Sequence, residues 1–503
     1  MHPRGGRGVN GEAAPARRPL VIASNRGPVA FEIGPDGELT SSRGGGGLVT
    51  GLTGALQMTG GLWVAAAMSD GDRAAVERSP GGRIEVLDED TKYNVRYISV
   101  PAERFDRYYN VISNRILWFL HHYLFEVARS PRFGQAISEA WQDYIAVNHS
   151  FADLLAEEWT EGNPPAFLVQ DYHLALVPRI LRERVPDALI SHFSHTPFAG
   201  PTYFRVLTTE MARTTLRGML GADVLGFHSA DWAENFLLSC RSVLGAKVDL
   251  KRRYVDLDGR RTLVRIYPIS IDADHIRAAT TTEAVKSLRR DIAAWRGECK
   301  LIVRVDRTEL SKNIQRGFLA FEALLQRHAE WVGRVKFLTL LNPSRRAIPE
   351  YRVYTRDCLR MAERINQQFG FPGWRPIEVV IRDDFPRAIA AYELYDVLMV
   401  NPVFDGMNLV AMEGPVANRG NGVVVLSTNA GAYALLGKYT LGVNPFDVGE
   451  TAEALQRALT MPREERQRRL RGLRRVVASN SPAGWVRNQL DDLELAAASR
   501  PET

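Results

Sequence analysis

The stretch NPVFDGMNLVAME, residues 401–413, decides the fold of this chain. It follows an apolar run at residues 397–400, which predicts a buried β-strand. An Asp-Gly pair that begins at Asp405 ends this strand, and the residues from Leu409 onward predict a helix. A strand, a tight turn and a helix N-terminus form an anion site, because free backbone N–H groups and the positive end of the helix dipole face whatever lies above the sheet.

Two carboxylates flank this turn. Asp405 lies at the turn itself, and Glu413 lies about 12 Å further along the helix axis at ~1.5 Å per residue. This spacing suits a ligand that carries phosphate in its middle and a hydroxylated ring at each end. A nucleotide sugar is such a ligand.

Apolar runs on both sides of this stretch alternate with helical patterns. Such alternation predicts an α/β fold with parallel sheets covered by helices on both faces. Two blocks of strands predict two Rossmann-like domains with a cleft between them, over residues 19–267 and 268–482. The remaining segments are predicted as a disordered tail at 1–18 and, at 483–503, a helix that packs back on the first domain plus a tail. The predicted strands lie at 19–25, 166–169, 189–193, 224–227 and 263–269 in the first block, and at 300–304, 335–340, 377–381, 397–400 and 422–426 in the second.

The composition is that of an ordinary globular protein, with 503 residues, 45% hydrophobic and 24% charged. No run approaches the ~20 apolar residues of a membrane span, so no membrane partner is expected. The first 18 residues lack the apolar stretch of a signal peptide. The three cysteines, Cys240, Cys299 and Cys358, are few and widely separated, which predicts reduced thiols and a cytoplasmic location.

The formal net charge of +6 is compatible with nucleic acid or with phosphorylated small ligands as partners. The densest basic run, between Arg463 and Arg475, contains no aromatic residues that would stack on bases. It is interpreted as the solvated face of a late helix, and no nucleic-acid partner is expected.

Polar clusters follow the predicted strands, at the carboxyl ends where such sheets bind ligands. SNR at residues 24–26 ends the first strand, and the loop Gly44–Gly47 follows it. Glycines let a backbone approach a phosphate closely, although such a loop is also compatible with a flexible turn.

Aromatic and hydrogen-bonding residues form further clusters. Tyr109, Trp118 and Trp63 can stack on sugar rings, although Trp118 within an apolar run also fits a core position. Asp171 and His195 each come directly after a strand, and His195 is also compatible with a structural histidine.

Cations follow two strands of the second block. Arg307 and Lys312 can clamp a diphosphate, and Arg345 adds a third cation; the alternative is a surface salt bridge to Asp306 or Glu309. No Asp-x-Asp pattern suits a divalent ion, so neither a metal nor another cofactor is expected.

These clusters, in this order, resemble the trehalose-6-phosphate synthases, which are retaining glycosyltransferases of the GT-B fold. The resemblance covers about residues 19–490. The matching motifs are SNR at 24–26, GGL at 46–48, Tyr109 with Trp118, DYH at 171–173, HTPF at 195–198, Arg307 with Lys312, SR at 344–345, DGMNLV at 405–410 with Glu413, and VNPFD at 443–447.

The resemblance implies a role for each matching residue. The donor would be a nucleotide glucose and the acceptor glucose 6-phosphate, whereas self-association into a homo-oligomer stays open. Asp171 and His195 would orient the sugars, and with Arg307, Lys312 and Asp405 they form the expected catalytic set. The donor would be held by Gly46, Gly47, Arg307, Lys312, Asp405, Met407, Asn408, Leu409 and Glu413. The acceptor would be held by Arg26, Trp63, Tyr109, Trp118, Asp171 and Arg345.

The family mechanism is a same-face reaction, in which the acceptor hydroxyl attacks as the diphosphate departs. In the sequence, no carboxylate is an obvious nucleophile of the kind that retention normally requires. The protein then supplies orientation and charge stabilisation.

The chain departs from the common family pattern in three places. VAAA follows Trp63 where Gly-Trp is common, RTELSKN at 307–313 replaces RLDYSKG, and HTP at 195–197 replaces HIP. The first two changes resemble an actinobacterial branch that includes GDP-glucose users and validoxylamine 7′-phosphate synthases, so a UDP or GDP donor and the donor ring stay open. The alternatives are another phosphorylated acceptor, such as glycerol 3-phosphate or an aminocyclitol phosphate, and a catalytically silent sugar-phosphate sensor. The intact DGMN at 405–408 and His195 favour true glucosyl transfer, and the intact Arg307, Lys312, Asp405 and Glu413 argue against the silent sensor.

Overall fold

The computed structural model describes residues 18–43, 49, 52, 56, 61–88 and 91–498. Within these residues, the strands form a ten-stranded sheet, a six-stranded sheet and a two-stranded hairpin. The strands that precede residue 270 are β1 (Leu20–Ala23), β2 (Val29–Ile33), β3 (Leu39–Arg43), β4 (Leu62–Ala66), β5 (Arg83–Asp88), β6 (Thr91–Ile98), β7 (Ala166–Gln170), β8 (Leu189–Phe193), β9 (Val224–Phe227), β10 (Lys247–Asp249), β11 (Tyr254–Leu257) and β12 (Arg260–Ile266).

The first sheet has the strand order β10-β11-β12-β9-β8-β7-β1-β4-β6-β5, and β2 pairs with β3 in the hairpin. Its middle, from β12 to β6, is parallel. Its two edges are antiparallel, at β10-β11-β12 and at β5-β6. The sequence predicted a parallel sheet here and did not predict these antiparallel edges.

The second sheet is parallel throughout, with the order β15-β14-β13-β16-β17-β18. Its strands are apolar and largely buried, as expected for a sheet with helices on both faces. They are β13 (Lys300–Arg307), β14 (Val335–Asn342), β15 (Ile377–Ile381), β16 (Val397–Val400), β17 (Val423–Ser427) and β18 (Leu441–Val443).

Helices connect these strands and cover both sheets. In the first half they are α1 (Asp70–Glu77), α2 (Ala102–Asp106), α3 (Trp118–His121), α4 (Gln135–Glu157), α5 (Val177–Arg184), α6 (Pro201–Phe204), α7 (Thr209–Met219) and α8 (Ala230–Ser239), and a π-helical stretch at Arg107–Leu117 joins α2 to α3. In the second half they are α9 (Ala273–Ala279), α10 (Glu283–Arg296), α11 (Ile314–Arg327), α12 (Pro349–Phe369), α13 (Phe385–Leu394), α14 (Val410–Ala417), α15 (Tyr433–Leu436), α16 (Val448–Thr460), α17 (Arg463–Ala478) and α18 (Pro482–Ala498).

Every strand predicted from the sequence is present within a few residues of its expected bounds. The last helix, α18, packs against β8 and β9 of the first sheet. Its Trp485 indole donates a hydrogen bond to the Tyr267 carbonyl at 3.1 Å, and the Tyr267 hydroxyl donates to Asp492 at 2.6 Å. The three cysteines are free thiols, as predicted. Among the described residues, no helix is both long and apolar enough to cross a membrane.

The basic run at 463–475 lies on a helix, but the prediction of a purely solvated face is wrong. Arg466 is only 8% exposed and donates to the backbone carbonyls of Asn421 and Asp396 at 2.8 and 3.0 Å. Arg474 donates to the Pro415 carbonyl at 2.9 Å. Arg466 therefore binds carbonyls just before β16 and β17, whereas Arg474 places a positive charge at the carbonyl end of α14.

Candidate active site

A cavity of about 1460 Å³ lies where the carboxyl ends of the strands of both sheets meet. Parallel α/β sheets bind ligands at this end. The cavity is lined from the first sheet by the segments after β1, β7 and β8, and from the second by those after β13, β14, β15 and β16.

The turn between β16 and α14 forms one wall. Asp405 accepts hydrogen bonds from Lys312 Nζ at 2.5 Å and from Asn408 Nδ2 at 3.1 Å. Asn408 has a φ of 80°, a conformation that side-chain amides tolerate better than most. At the start of α14, the N–H of Ala411 donates to Asn408 Oδ1 at 3.4 Å and the N–H of Met412 donates to the Leu409 carbonyl at 2.8 Å. What α14 offers an anion in the cavity is therefore mainly the positive end of its helix dipole.

The first sheet holds this turn from the other side. Trp232 Nε1 donates to the Gly406 carbonyl at 3.2 Å. A Cβ added to Gly406 would lie 1.8 Å from the His195 carbonyl oxygen, so only glycine allows this approach. The donor turn predicted from the sequence is thus in backbone contact with the segment after β8.

Ion pairing sets the charge of Asp405. Burial alone would raise the pKa of this carboxyl, but the Lys312 ammonium and the Asn408 hydrogen bond bring the pKa below its usual value. A buried guanidinium fixes Lys312 in turn, because Arg304 donates to the Lys312 carbonyl at 2.9 Å and to Asp306 at 3.1 Å. Arg304 also donates to the side chain of Asn401, which ties β13 to β16.

Two further acids lie deeper in the second-sheet half of the cavity. Glu413 accepts a hydrogen bond from the Tyr392 hydroxyl at 3.2 Å, and burial raises the pKa of its carboxyl. Burial also raises the pKa of Asp306 to about 6, against the opposing charges of Arg304 and Lys312. Carboxyls with raised pKa values in a cleft are candidates for functional groups.

Glu309 joins two of the predicted cations. Its Oε1 lies 2.8 Å from Arg307 Nη1 and 2.9 Å from Arg345 Nη1, and it accepts a hydrogen bond from the Ser344 hydroxyl at 2.7 Å. Glu309 is fully buried, and burial would raise its pKa, but the charges of Arg307, Arg345 and Lys312 lower the pKa to about 2. The carboxylate is therefore ionised at any ordinary pH, and this pair is buried on the Glu309 side rather than being the surface salt bridge considered from the sequence.

Arg345 has several partners of its own. Its Nε donates to Asn114 at 2.9 Å, and its Nη2 lies 3.4 Å from the Tyr172 hydroxyl. The guanidinium carbon lies 3.8 Å from the ring centroid of Trp118, which is cation–π distance. Arg345 is therefore a fixed cation in the wall of the cavity.

Aromatic rings complete the first-sheet half. Trp118 also stacks on the ring of His122, with ring centroids 3.8 Å apart. Tyr109 stacks on His173 with centroids 5.7 Å apart. Burial lowers the pKa of both histidines to about 3, so both rings are neutral.

Asp171 and His195 lie beside each other at the ends of β7 and β8. Asp171 accepts the His195 backbone N–H at 3.1 Å, and its φ of 71° is a strained conformation of the kind that concentrates at active sites. Burial raises the pKa of Asp171 to about 6, although N–H groups of Tyr172 and His195 oppose this shift. The ring Nε2 of His195 lies 2.9 Å from Gln170 Oε1, and burial lowers the pKa of this imidazole well below its usual value.

The structure brings most of the predicted site residues into this one cavity. One predicted side chain lies elsewhere: Trp63 is fully buried in the core with its indole donating to Ser24 at 2.7 Å. For Met407 the expectation concerned the backbone, and its side chain is 3% exposed in the core. The expectation that Trp63 lines the acceptor pocket is therefore wrong, because its strand position turns the ring inward. Gly46 and Gly47 lie outside the described residues. The predicted residues that line the cavity are Arg26, Tyr109, Trp118, Asp171, His195, Arg307, Lys312, Arg345, Asp405, Asn408, Leu409 and Glu413.

Several cavity residues were not predicted as functional from the sequence. Tyr172 stood inside a quoted motif, whereas Gln170, His122 and Tyr392 carried no signal of their own. Asn114 and Glu309 act on cavity residues from behind, so only the folded structure identifies them. In the part of the chain that the structure describes, no cluster of three or more acidic, histidine or cysteine side chains could hold a metal ion.

Comparison with known proteins places this geometry in context. The model of glycosyltransferase family 20 matches residues 18–495. A trehalose-6-phosphate synthase of Mycobacterium avium is 34% identical over 507 residues, covering 98% of each chain.

Two solved structures share the fold. The E. coli protein described as bound with UDP-2-fluoro glucose has a TM-score of 0.82 at 30% identity, covering 94% of this chain and 98% of its own. A UDP-forming α,α-trehalose-phosphate synthase of Burkholderia xenovorans, in complex with glucose-6-phosphate, has a TM-score of 0.81 at 29% identity, covering 95% of this chain and 100% of its own. These likenesses confirm the predicted GT-B arrangement.

Proposed function

The chain belongs to glycosyltransferase family 20, and from that premise we propose that it transfers glucose from a nucleoside-diphosphate glucose to glucose 6-phosphate, with retention, to give α,α-trehalose 6-phosphate. The observation that carries this proposal is the single cavity in which an anion site at a helix N-terminus faces a second, arginine-based anion site. A donor with a diphosphate and an acceptor with a phosphate need two such sites side by side.

The donor belongs at the second sheet. The diphosphate would lie against the N-terminus of α14, where Lys312 and Arg307 add positive charge. Asp405 would accept from hydroxyls of the donor glucose, because its low pKa keeps it an acceptor. Glu413 would accept from the ribose hydroxyls; because α14 begins only at Val410, Glu413 lies in its first turn and not two helical turns beyond Asp405, as the sequence had suggested.

The acceptor belongs at the first sheet. Arg345, Arg26 and Tyr109 would bind the phosphate of glucose 6-phosphate, with the Trp118 ring backing Arg345. A bidentate arginine suits a phosphate, and an aromatic face limits where the guanidinium can go. Asp171 and His195 would hold hydroxyl groups of the sugars between the two phosphates.

The proposed reaction proceeds on one face of the donor sugar. The anomeric hydroxyl oxygen of glucose 6-phosphate forms a bond to the donor's anomeric carbon as the bond to the diphosphate oxygen breaks. The hydroxyl proton passes to the departing phosphate oxygen, so no protein base is needed for that transfer. Arg307, Lys312 and the dipole of α14 would stabilise the negative charge that develops on the leaving group.

Product formation from glucose 6-phosphate with UDP-glucose and with GDP-glucose, each in the presence of EDTA, tests this function. Trehalose 6-phosphate is expected from at least one donor, and the ratio of the two kcat/KM values identifies the preferred base. A chain that binds donor but forms no product with glucose 6-phosphate would contradict the proposal. The same assay with glycerol 3-phosphate or an aminocyclitol phosphate then tests the alternative acceptors.

A further inference from the structure

Glu309 stands between the two anion sites rather than in either. One of its oxygens, Oε1, contacts Arg307 of the donor side and Arg345 of the acceptor side, at 2.8 and 2.9 Å. The Ser344 hydroxyl donates a hydrogen bond to the same oxygen at 2.7 Å. The two guanidinium nitrogens thus lie within about 6 Å of each other, a separation at which like charges repel unless an anion lies between them.

The two arginines differ in what else holds them. Arg345 is 9% exposed at its side chain and is also fixed by Asn114, Tyr172 and the ring of Trp118. The Arg307 side chain is 47% exposed, and its guanidinium carbon lies 5.4 Å from the ring centroid of Trp118, farther than that of Arg345. Among the residues that the structure describes, Glu309 is the one ionic partner of Arg307.

Glu309 is also buried with only one of its two carboxylate oxygens in use, which is unusual for a carboxylate with a structural role alone. It is fully buried at the end of β13, and its second oxygen, Oε2, has no hydrogen-bond partner among the described residues. Burying a charge with half of its acceptors unused is costly, and such groups are retained where they fix a geometry.

We propose that Glu309 is a positioning residue that sets the distance and angle between Arg307 and Arg345, and so the placement of the leaving diphosphate relative to the acceptor phosphate. The proposal rests on the function proposed above, because only a reaction with a diphosphate and a second phosphate needs Arg307 and Arg345 at the same time. Glu309 does not contact the substrates in this arrangement; it acts through Arg307.

The isosteric variant Glu309→Gln tests this role. The amide oxygen of the glutamine can still accept a hydrogen bond in the place of Oε1, but the negative charge between the two guanidiniums is lost. Arg307, the less firmly held of the two, is then expected to move away, whereas Arg345 keeps its other partners. We expect kcat at saturation with both substrates to fall at least about tenfold, since misplacing a group by ~1 Å can cost about 100-fold. The KM values of both substrates are expected to stay within about threefold, because both cations remain and the local potential becomes more positive.

A crystal structure of E309Q supplies a readout that does not depend on activity. We expect the Arg307 guanidinium to leave its position by more than about 2 Å, a distance beyond hydrogen-bond tolerance, while Arg345 stays in place. The matched control is Glu322→Gln, since Glu322 is a buried carboxylate in the same half of the molecule that binds Arg364 at 2.6 and 2.7 Å away from the cavity. E322Q should lower Tm without changing kcat.

These outcomes separate the two proposals. A wild-type chain that forms no trehalose 6-phosphate refutes the proposed function, while displacement of Arg307 in E309Q still supports the positioning role. An unmoved Arg307 together with wild-type kcat overturns the positioning role, and so does a kcat loss that E322Q matches. If E309Q does not fold, Glu309→Asp replaces it: a carboxylate drawn back by about 1.5 Å, one C–C bond, should displace Arg307 in the same way.

Discussion

Replacing Gly406 with alanine should separate the donor turn from the segment that carries His195. A Cβ at this position would lie 1.8 Å from the His195 carbonyl oxygen and 2.8 Å from its carbonyl carbon. Atoms in ordinary contact are about 3.5 Å apart, so one of the two backbones must move by the order of 1.5 Å. The turn cannot retreat into the second sheet, because Gly431 packs behind it so closely that a Cβ there would lie 1.9 Å from the Gly406 carbonyl.

The expected magnitude follows from that displacement. A misplacement of about 1 Å in a catalytic constellation can cost about 100-fold in rate, so G406A should lower kcat/KM at least about 100-fold. The hydrogen bond from Trp232 to the Gly406 carbonyl would be lost as well, at about 1 kcal/mol of stability. Overpacking adds about 1–3 kcal/mol, so the variant should remain folded with a lowered Tm.

Initial rates of trehalose 6-phosphate formation and a thermal melt measure both effects. Gly420→Ala is the matched control, because a Cβ there meets nothing within 4 Å and its φ needs no glycine. G420A should keep the wild-type kcat/KM. A G406A enzyme with wild-type kcat/KM would refute the idea that this close approach holds the donor turn against the first sheet.

Three further predictions concern single side chains of the cavity. Trp118→Leu removes the face on which Arg345 rests, and KM for glucose 6-phosphate should rise about 5–30-fold, equivalent to the ~1–2 kcal/mol of a desolvated cation–π contact, with a smaller change in the donor KM when each substrate is varied in turn. Glu413→Gln should raise the donor KM about 10–150-fold with little loss of kcat, because a charged hydrogen bond to the ribose is worth roughly 1.5–3 kcal/mol and the ribose takes no part in the bond that breaks. Asp171 has a folded pKa of about 6, above its ordinary value of 3.8, so ionising it destabilises the folded state as pH rises from about 4 through 6. Asp171→Asn should therefore raise the free energy of unfolding above pH 6 by up to roughly 2–3 kcal/mol relative to wild type, and Tm with it, but should not do so below pH 4, while activity falls. Equal Tm differences at both pH values would contradict this.

The strand ends were predictable because sequence pattern and topology agree there. Each apolar run of the second block forms a parallel strand, and a parallel sheet puts the residues after its strands along one edge. Arg307, Asp405 and Glu413 follow such runs, so their meeting in one cavity follows from the pattern and from the family resemblance. The antiparallel edge at β10 and β11 escaped prediction because these strands are short and polar; β10 pairs with β11, and β11 pairs with β12.

The side-chain environments were not predictable to the same degree. The sequence shows that Arg307 and Glu309 are two residues apart. It does not show that Arg345, after β14, binds the same Glu309 oxygen, so that the local ion pair becomes a buried bridge between two arginines. The prediction that Arg466 is solvated was wrong for the same reason, because its carbonyl partners are 45 and 70 positions away in the chain. The prediction for Trp63 was wrong because a strand that is buried on both faces has no sequence pattern that shows which side chains reach the cavity.

The proposed donor site is held together by buried charge. Arg304 is fully buried and binds the Lys312 carbonyl, Asp306 and Asn401, so one guanidinium joins the loop after β13 to the loop after β16. A buried ion pair is a weak source of stability, because desolvation offsets most of its attraction. What it supplies is a fixed distance between Lys312 and the start of α14, two of the sources of positive charge that a departing diphosphate would meet. An apolar residue of equal volume could fill the space beneath the cavity, but it would leave the two loops free to move apart when a doubly charged ligand enters.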